Sequence, residues 1–179
     1  MKKKILLPFI FLLYACPNEI ESLDQCNLQN RIANINGLST ITPLQSTYSI
    51  GDEVLFSLSV PSENNYFGNV LDIRQNILNQ TARLESGIDN LFKGNDVTVI
   101  KGEYNMISDD LDRMYLLYNF ENNSYELIVK IKFLKPDNYS LNVRNEKIFF
   151  IGNPICNAYI INTTVAGHNE DFLINFTVQ

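Results

Sequence analysis

The stretch Arg113–Phe133, RMYLLYNFENNSYELIVKIKF, holds two apolar alternations separated by a polar break. Met114, Leu116, Tyr118 and Phe120 occupy every second position, Glu121-Asn122-Asn123-Ser124 interrupts them, and Tyr125, Leu127, Val129, Ile131 and Phe133 resume the pattern. A period of two places all of these side chains on one face of an extended chain, whereas a helix would scatter them around its axis. The segment therefore predicts a β-hairpin with a four-residue loop.

The same pattern recurs on both sides. In EVLFSLSVP, residues 53–61, Val54, Phe56, Leu58 and Val60 share a face, Gly51-Asp52 supplies a turn before them and Pro61 closes the run. VTVIKGEY (97–104) and KIFFIG (147–152) read as further strands, and NAYIINTTV (157–165) with DFLINFTV (171–178) predict a terminal hairpin around AGHNE. Residues 66–91 are ambiguous, because Val70, Leu71, Ile73, Ile77, Leu78 and Leu84 fit a helical stripe about as well as strands. We read them as a short strand, a polar connection and a strand at ARLESGI, with room for one helical turn. About eight to ten short strands with turn signals between them imply an all-β chain folded as an antiparallel β-sandwich. Lys135-Pro136-Asp137-Asn138 favours a type I turn before Tyr139. This stretch resembles the corner before a late strand of immunoglobulin-like sandwiches, which implies that Tyr139 hydrogen-bonds back across the corner; plain core is the alternative.

Composition bounds the rest. The chain has 179 residues, 45% of them hydrophobic, with 14 bases and 20 acids for a net charge of −6. It begins with a basic segment, Lys2 to Lys4, and an apolar run of about ten residues, ILLPFIFLLYA, too short for a helix to cross a hydrocarbon core that needs about 20. An export signal, residues 1–15, fits better than a membrane span. Removing it leaves 11 bases against 20 acids, a charge of −9, which argues against nucleic acid as a partner.

Leu13-Tyr14-Ala15-Cys16 resembles the lipobox of bacterial lipoproteins, although Tyr14 is bulkier than that pattern usually shows. The resemblance implies that Cys16 becomes the acylated first residue of the mature protein, held in the cell envelope and expected in the outer membrane, on its periplasmic or its surface face. Two or more acyl chains anchor stably where one holds marginally. The alternative is an ordinary secretory signal with an incidental cysteine. Residues 16–25, PNEIESLDQ after Cys16, form an acidic tether that spans roughly 30 Å when extended. The domain then occupies residues 26–179. The lipobox, the tether and the strand opening YSIGDEV at Tyr48 to Val54 are together similar to uncharacterised envelope lipoproteins of Bacteroidetes-type bacteria, a likeness that implies no activity.

If Cys16 is lipidated, Cys26 and Cys156 remain as an even pair in an exported chain, which suggests a disulfide. Closing that loop of about 131 residues contributes roughly 5 kcal/mol in the chain-entropy account, before strain. Two buried free thiols are the alternative.

Chemistry is sparse. The one histidine, His168, lies in the expected hairpin loop, so a Ser-His-Asp set has no evident base. Asp109, Asp110 and Asp112 are bunched, and Asp89-Asn90 with Asn95-Asp96 offers oxygen ligands without a calcium-loop template. No phosphate-binding glycine loop or zinc spacing occurs, so no cofactor or metal is expected. Asn79, Asn122, Asn138, Asn162 and Asn175 begin N-x-[ST] triplets, but with 24 asparagines about two or three arise by chance. The reading that remains is a lipid-anchored binding or structural module for an envelope protein, a glycan or another ligand. A carboxylate-based envelope hydrolase and an accessory subunit of an outer-membrane complex stand as alternatives.

Overall fold

The computed structural model describes residue 28 and residues 30–106, 112–144, 146–153 and 156–179; the side chains of 105, 106, 112 and 113 are outside this description. The chain is all-β. In order it forms β1 (Ile32–Asn34), β2 (Ser39–Thr42), β3 (Thr47–Tyr48), β4 (Glu53–Pro61), β5 (Glu63–Asn64) and β6 (Leu71–Asp72). Then come the short helix α1 (Ile73–Ile77), β7 (Thr81–Glu85), the single turn α2 (Asp89–Phe92), β8 (Asp96–Lys101) and β9 (Glu103–Met106). The chain ends with β10 (Asp112–Asn119), β11 (Ser124–Lys132), β12 (Asp137–Asn142), β13 (Glu146–Ile151), β14 (Ala158–Thr163) and β15 (Leu173–Val178).

The opening hairpin forms, with a difference. β10 and β11 pair only from Leu117 opposite Glu126 to Asn119 opposite Ser124, across a turn at 120–123 where Asn123 takes φ 52°. Beyond that point the two strands part. The edge of β11 that starts on β10 continues on β8, and the matching edge of β10 continues on β9. β8 and β9 are one bent stretch of chain wedged into the fork, and Gly102 is the bend. Its φ is +85°, and a Cβ there would stand 2.6 Å from Tyr115 O and 2.7 Å from Leu127 Cδ1. Only glycine fits such a conformation and such an approach.

The fork divides the main sheet into two wings. One runs β10, β7, β13, β14, β1, and the other runs β11, β4, β2. The wings meet again on the far side, where Ser39 bridges Val165 and accepts a hydrogen bond from Ala166 N at 2.8 Å. The result is a curled sheet wrapped around one core. β4 and β11 supply its centre: Val54, Phe56, Leu58 and Val60 face Leu127, Val129 and Ile131, all at most 1% exposed. This is the face that the alternation predicts, and each such side chain contributes about 1.5–3 kcal/mol on burial.

A second sheet, β12-β15-β3, packs Tyr139, Leu141, Ile174, Phe176, Val178 and Tyr48 on the same core. Phe133 joins its aromatic cluster, 5.1 Å from Tyr48 and 5.6 Å from Phe176, ring centre to ring centre.

Three expectations are corrected. The expected terminal hairpin does not form, because β14 pairs with β13 and β1 while β15 pairs with β12 and β3 in the other sheet. Alternation reveals a strand's buried face and says nothing of its neighbour. Next, the chain is all-β as expected but its sheets are mixed: the pairs β1–β14 and β15–β3 are parallel, so the pairing is not antiparallel throughout. Each parallel pair joins strands distant in sequence, as parallel pairing requires. Finally, Tyr139 does not bond across its own corner; its hydroxyl accepts from Asn95 Nδ2 at 2.8 Å. Residues 66–91 follow the reading given above in β6, a short helix α1 and β7 at Thr81–Glu85, and add a second helical turn, α2, that begins at Asp89 where the expected strand at ARLESGI would run on to Ile88.

Candidate functional site

A cleft of about 520 Å³ opens beside the start of β1. Its floor is Tyr159 on β14, one wall is the start of β1 at Arg31 and Ile32, and the other is the 65–70 loop with Tyr66, Phe67 and Asn69. The loop is tied at its base. Asn64 Nδ2 donates to Pro61 O at 2.8 Å, Asn64 Oδ1 accepts from Tyr66 N at 3.1 Å, and Ser62 Oγ donates to Asp72 Oδ1 at 2.7 Å. Asp72 also caps α1 by accepting from Gln75 N at 3.1 Å. Burial pushes its carboxyl up, but the bonds from Ser62 and Gln75 outweigh this and leave it below the usual range.

From that base the loop sets Phe67 edge-on to Tyr159, with centroids 5.0 Å apart. Arg31 covers the same tyrosine, its Cζ 5.4 Å from the ring centroid. Its Nη1 donates to Cys156 O at 2.9 Å and to Asn157 Oδ1 at 3.3 Å. Arg31 thus fixes the 156–157 turn to the entry of β1, and it has no carboxylate partner among the described residues.

A second, more open groove of about 490 Å³ lies at the β10–β11 turn, beside Ile100, Lys101, Tyr118 and Phe120. Phe120 and Ile100 are 62% and 54% exposed. Glu126 lies beneath them, accepting from Lys101 Nζ at 2.6 Å, Asn119 Nδ2 at 2.9 Å, Asn122 Nδ2 at 2.6 Å and Ser124 Oγ at 3.2 Å. Burial raises this carboxyl, but Lys101 and the two amides dominate and hold it at about 2. Arg74 lies over Tyr118 and Phe120, 4.9 Å from each ring centroid, stiffening the rim.

One acid is fully enclosed. Glu146, at the start of β13, is 0% exposed; its Oε1 accepts from Ser86 Oγ at 2.8 Å and Gly87 N at 3.0 Å. Its Oε2 has no hydrogen-bond partner among the described residues. Burial, aided by the charge of Asp89, pushes the carboxyl up to about 7 against the two donors.

Most of the residues singled out from sequence stand apart. Cys16, Cys26, Asp109 and Asp110 lie outside the described residues, and Cys156 is half-buried in the turn that Arg31 holds. His168 stacks on Phe172 at 4.8 Å with Nδ1 2.6 Å from Asn169 O, in an exposed turn. Asn95 is a structural tie, donating to Leu91 O and Tyr139 OH and accepting from Leu134 N. No group of three or more His, Cys, Asp or Glu is placed to hold a metal ion among the described residues.

Arg31, Tyr66, Phe67 and Tyr159 were not distinguished in the sequence, since arginine and aromatic residues scattered along a strand-rich chain carry no spacing signal. Glu146 did carry one: in EKIFFI it falls on the same alternating face as Ile148 and Phe150, a carboxyl at a core position. No protein-family model, curated protein or solved structure matches this chain, so its site is read from its own geometry.

Proposed function

We propose that this protein is a lipid-anchored envelope module that binds a ligand in the Arg31–Tyr159 cleft. In this reading Cys16 carries the acyl anchor, residues 16–25 form the tether, and the cleft lies beside β1, early in the domain that follows. The observation that carries the proposal is the cleft's composition. Three aromatic side chains and two aliphatic ones, Ile32 and Leu71, surround an arginine and two asparagines, the mixture of apolar wall and few polar groups that binding pockets use. Its volume also falls within the range of such pockets.

The disulfide between Cys26 and Cys156 belongs to the same proposal. Cys156 lies in the turn that Arg31 holds beside the start of β1, so a crosslink to it from Cys26 would tie that turn to the chain ahead of β1.

A hydrolytic role is less well supported. Among the described residues, the Arg31 cleft has no acid in its lining. The Phe120 groove has Glu121 and Glu126, but Glu126 is held ionised by its donors and is poorly suited to act as a general acid at neutral pH.

Crosslinking in intact cells followed by purification in mild detergent tests the binding role, and mass spectrometry of the N-terminal peptide in the same sample tests the anchor. The expected results are an acylated Cys16 and a captured partner or ligand whose crosslinks map to residues 30–32, 66–71 or 159. A Cys16→Ser protein that stays in the membrane fraction, or crosslinks confined to other surfaces, would overturn the respective half of the proposal.

A further inference from the structure

We infer that the Arg31 cleft is a subsite for a sugar bearing a carboxylate, a step that rests on the binding-module reading and names its ligand class. The argument starts from what an occupant must satisfy. Arg31, Asn30 and Asn69 line the cleft, and none of their cation or amide groups is paired with an acid among the described residues. A wholly apolar occupant would strip water from these groups and return no hydrogen bonds, an uncompensated cost. The occupant therefore carries acceptors.

The aromatic side constrains it further. Phe67 and Tyr159 meet edge to face at 5.0 Å, and Tyr66 stands next in the same loop. Such a wall accepts a compact body with one apolar face and polar edges. A pyranose ring has this form, with C–H groups on one face and hydroxyls around the rim, and a cleft of about 520 Å³ holds one or two such rings.

The charge decides between neutral and acidic sugars. The whole chain carries −6, which disfavours anions at long range, yet among the described residues this cleft has a cation and no acid in its lining. The guanidinium is already immobilised by Cys156 O, Asn157 Oδ1 and the Tyr159 ring. Nη1 is committed, and Nε and Nη2, which take no hydrogen-bond partner among the described residues, form the planar fork that suits a carboxylate, with little side-chain entropy left to lose on binding. A proline-rich peptide would also suit the aromatic wall, but its carbonyl groups would leave the charge without a counter-ion.

The test uses the full-length protein in mild detergent, titrated calorimetrically with trigalacturonate and with neutral galactotriose. Trigalacturonate is expected to bind about ten-fold more tightly or better, consistent with a charge-assisted bidentate pair, and to weaken as salt rises. Arg31→Gln should bring the two affinities together. Asn69→Ala, at an exposed position that makes no side-chain hydrogen bond to the fold among the described residues, should weaken both sugars and guards against misfolding of the arginine variant. Equal binding of the two sugars, discrimination that survives in Arg31→Gln, or binding of a proline-rich peptide with no saccharide binding would each overturn the inference. A partner protein crosslinked at the cleft, with neither sugar bound, would refute the ligand class and leave the module reading standing.

Discussion

Glu146 offers the sharpest physical prediction. Its carboxyl is wholly enclosed, with two donors on Oε1 and none on Oε2, so the fold favours the neutral acid and raises its pKa to about 7 from 4.5. Between those two values the folded state keeps a proton that the unfolded chain has released. Unfolding then releases a proton, so stability falls as pH rises through this window, and the loss levels off above about pH 7. A difference of about 2.5 pH units corresponds to roughly 3 kcal/mol in all, of which about 2.5 kcal/mol falls between pH 5 and pH 8.

Glu146→Gln isolates this effect. The amide oxygen still accepts from Ser86 and Gly87, while the NH2 in place of Oε2 adds a penalty that does not change with pH. Urea unfolding of both proteins at pH 5 and pH 8, at fixed ionic strength, should show wild type losing about 2.5 kcal/mol more than the variant over that interval. Taking the difference of the two differences cancels every other titrating group. Equal losses in the two proteins would refute the reasoning, and with it the enclosed, half-satisfied carboxyl on which it rests.

Glu126 has the opposite sign: its pKa is held at about 2, so its contribution is present above pH 4.5 and is lost as pH falls toward 2. Acid unfolding followed by circular dichroism should therefore begin at higher pH in Lys101→Met than in wild type, and an unchanged midpoint would count against the Lys101–Glu126 contact. Gly102→Ala should cost about 2–3 kcal/mol, from a positive φ and a Cβ driven against Tyr115 O and Leu127; chemical denaturation within 0.5 kcal/mol of wild type would contradict the fork described for β8 and β9. If Cys26 and Cys156 are bridged, Cys156→Ser should lose about 2–5 kcal/mol under oxidising conditions and little under reducing ones, with peptide mapping under non-reducing conditions showing the crosslinked pair in wild type.

Much of the strand content was legible because burial on a strand repeats every two residues. The predicted inward faces of β4 and β11 are those found in the core. Legibility stopped where side-chain period no longer carries information. β14 and β15 alternate as clearly as any pair in the chain, yet they lie in different sheets, since a strand's hydrogen-bonding edge shows no trace in its side-chain pattern. The fork was hidden for a related reason: VTVIKGEY reads as one strand with a glycine, and only its two partners reveal that Gly102 is a corner.

What the sequence determined by itself is local: strands of known face, and a turn at the tip of β10 and β11. Each follows from residues adjacent in the chain. The tertiary structure alone decided which edges pair, where the sheet divides and closes, and that Arg31, Tyr66, Phe67 and Tyr159, spread over 129 positions, surround one cleft. Those outcomes depend on contacts between distant segments, whose packing is selected by the whole core and not by any stretch of it.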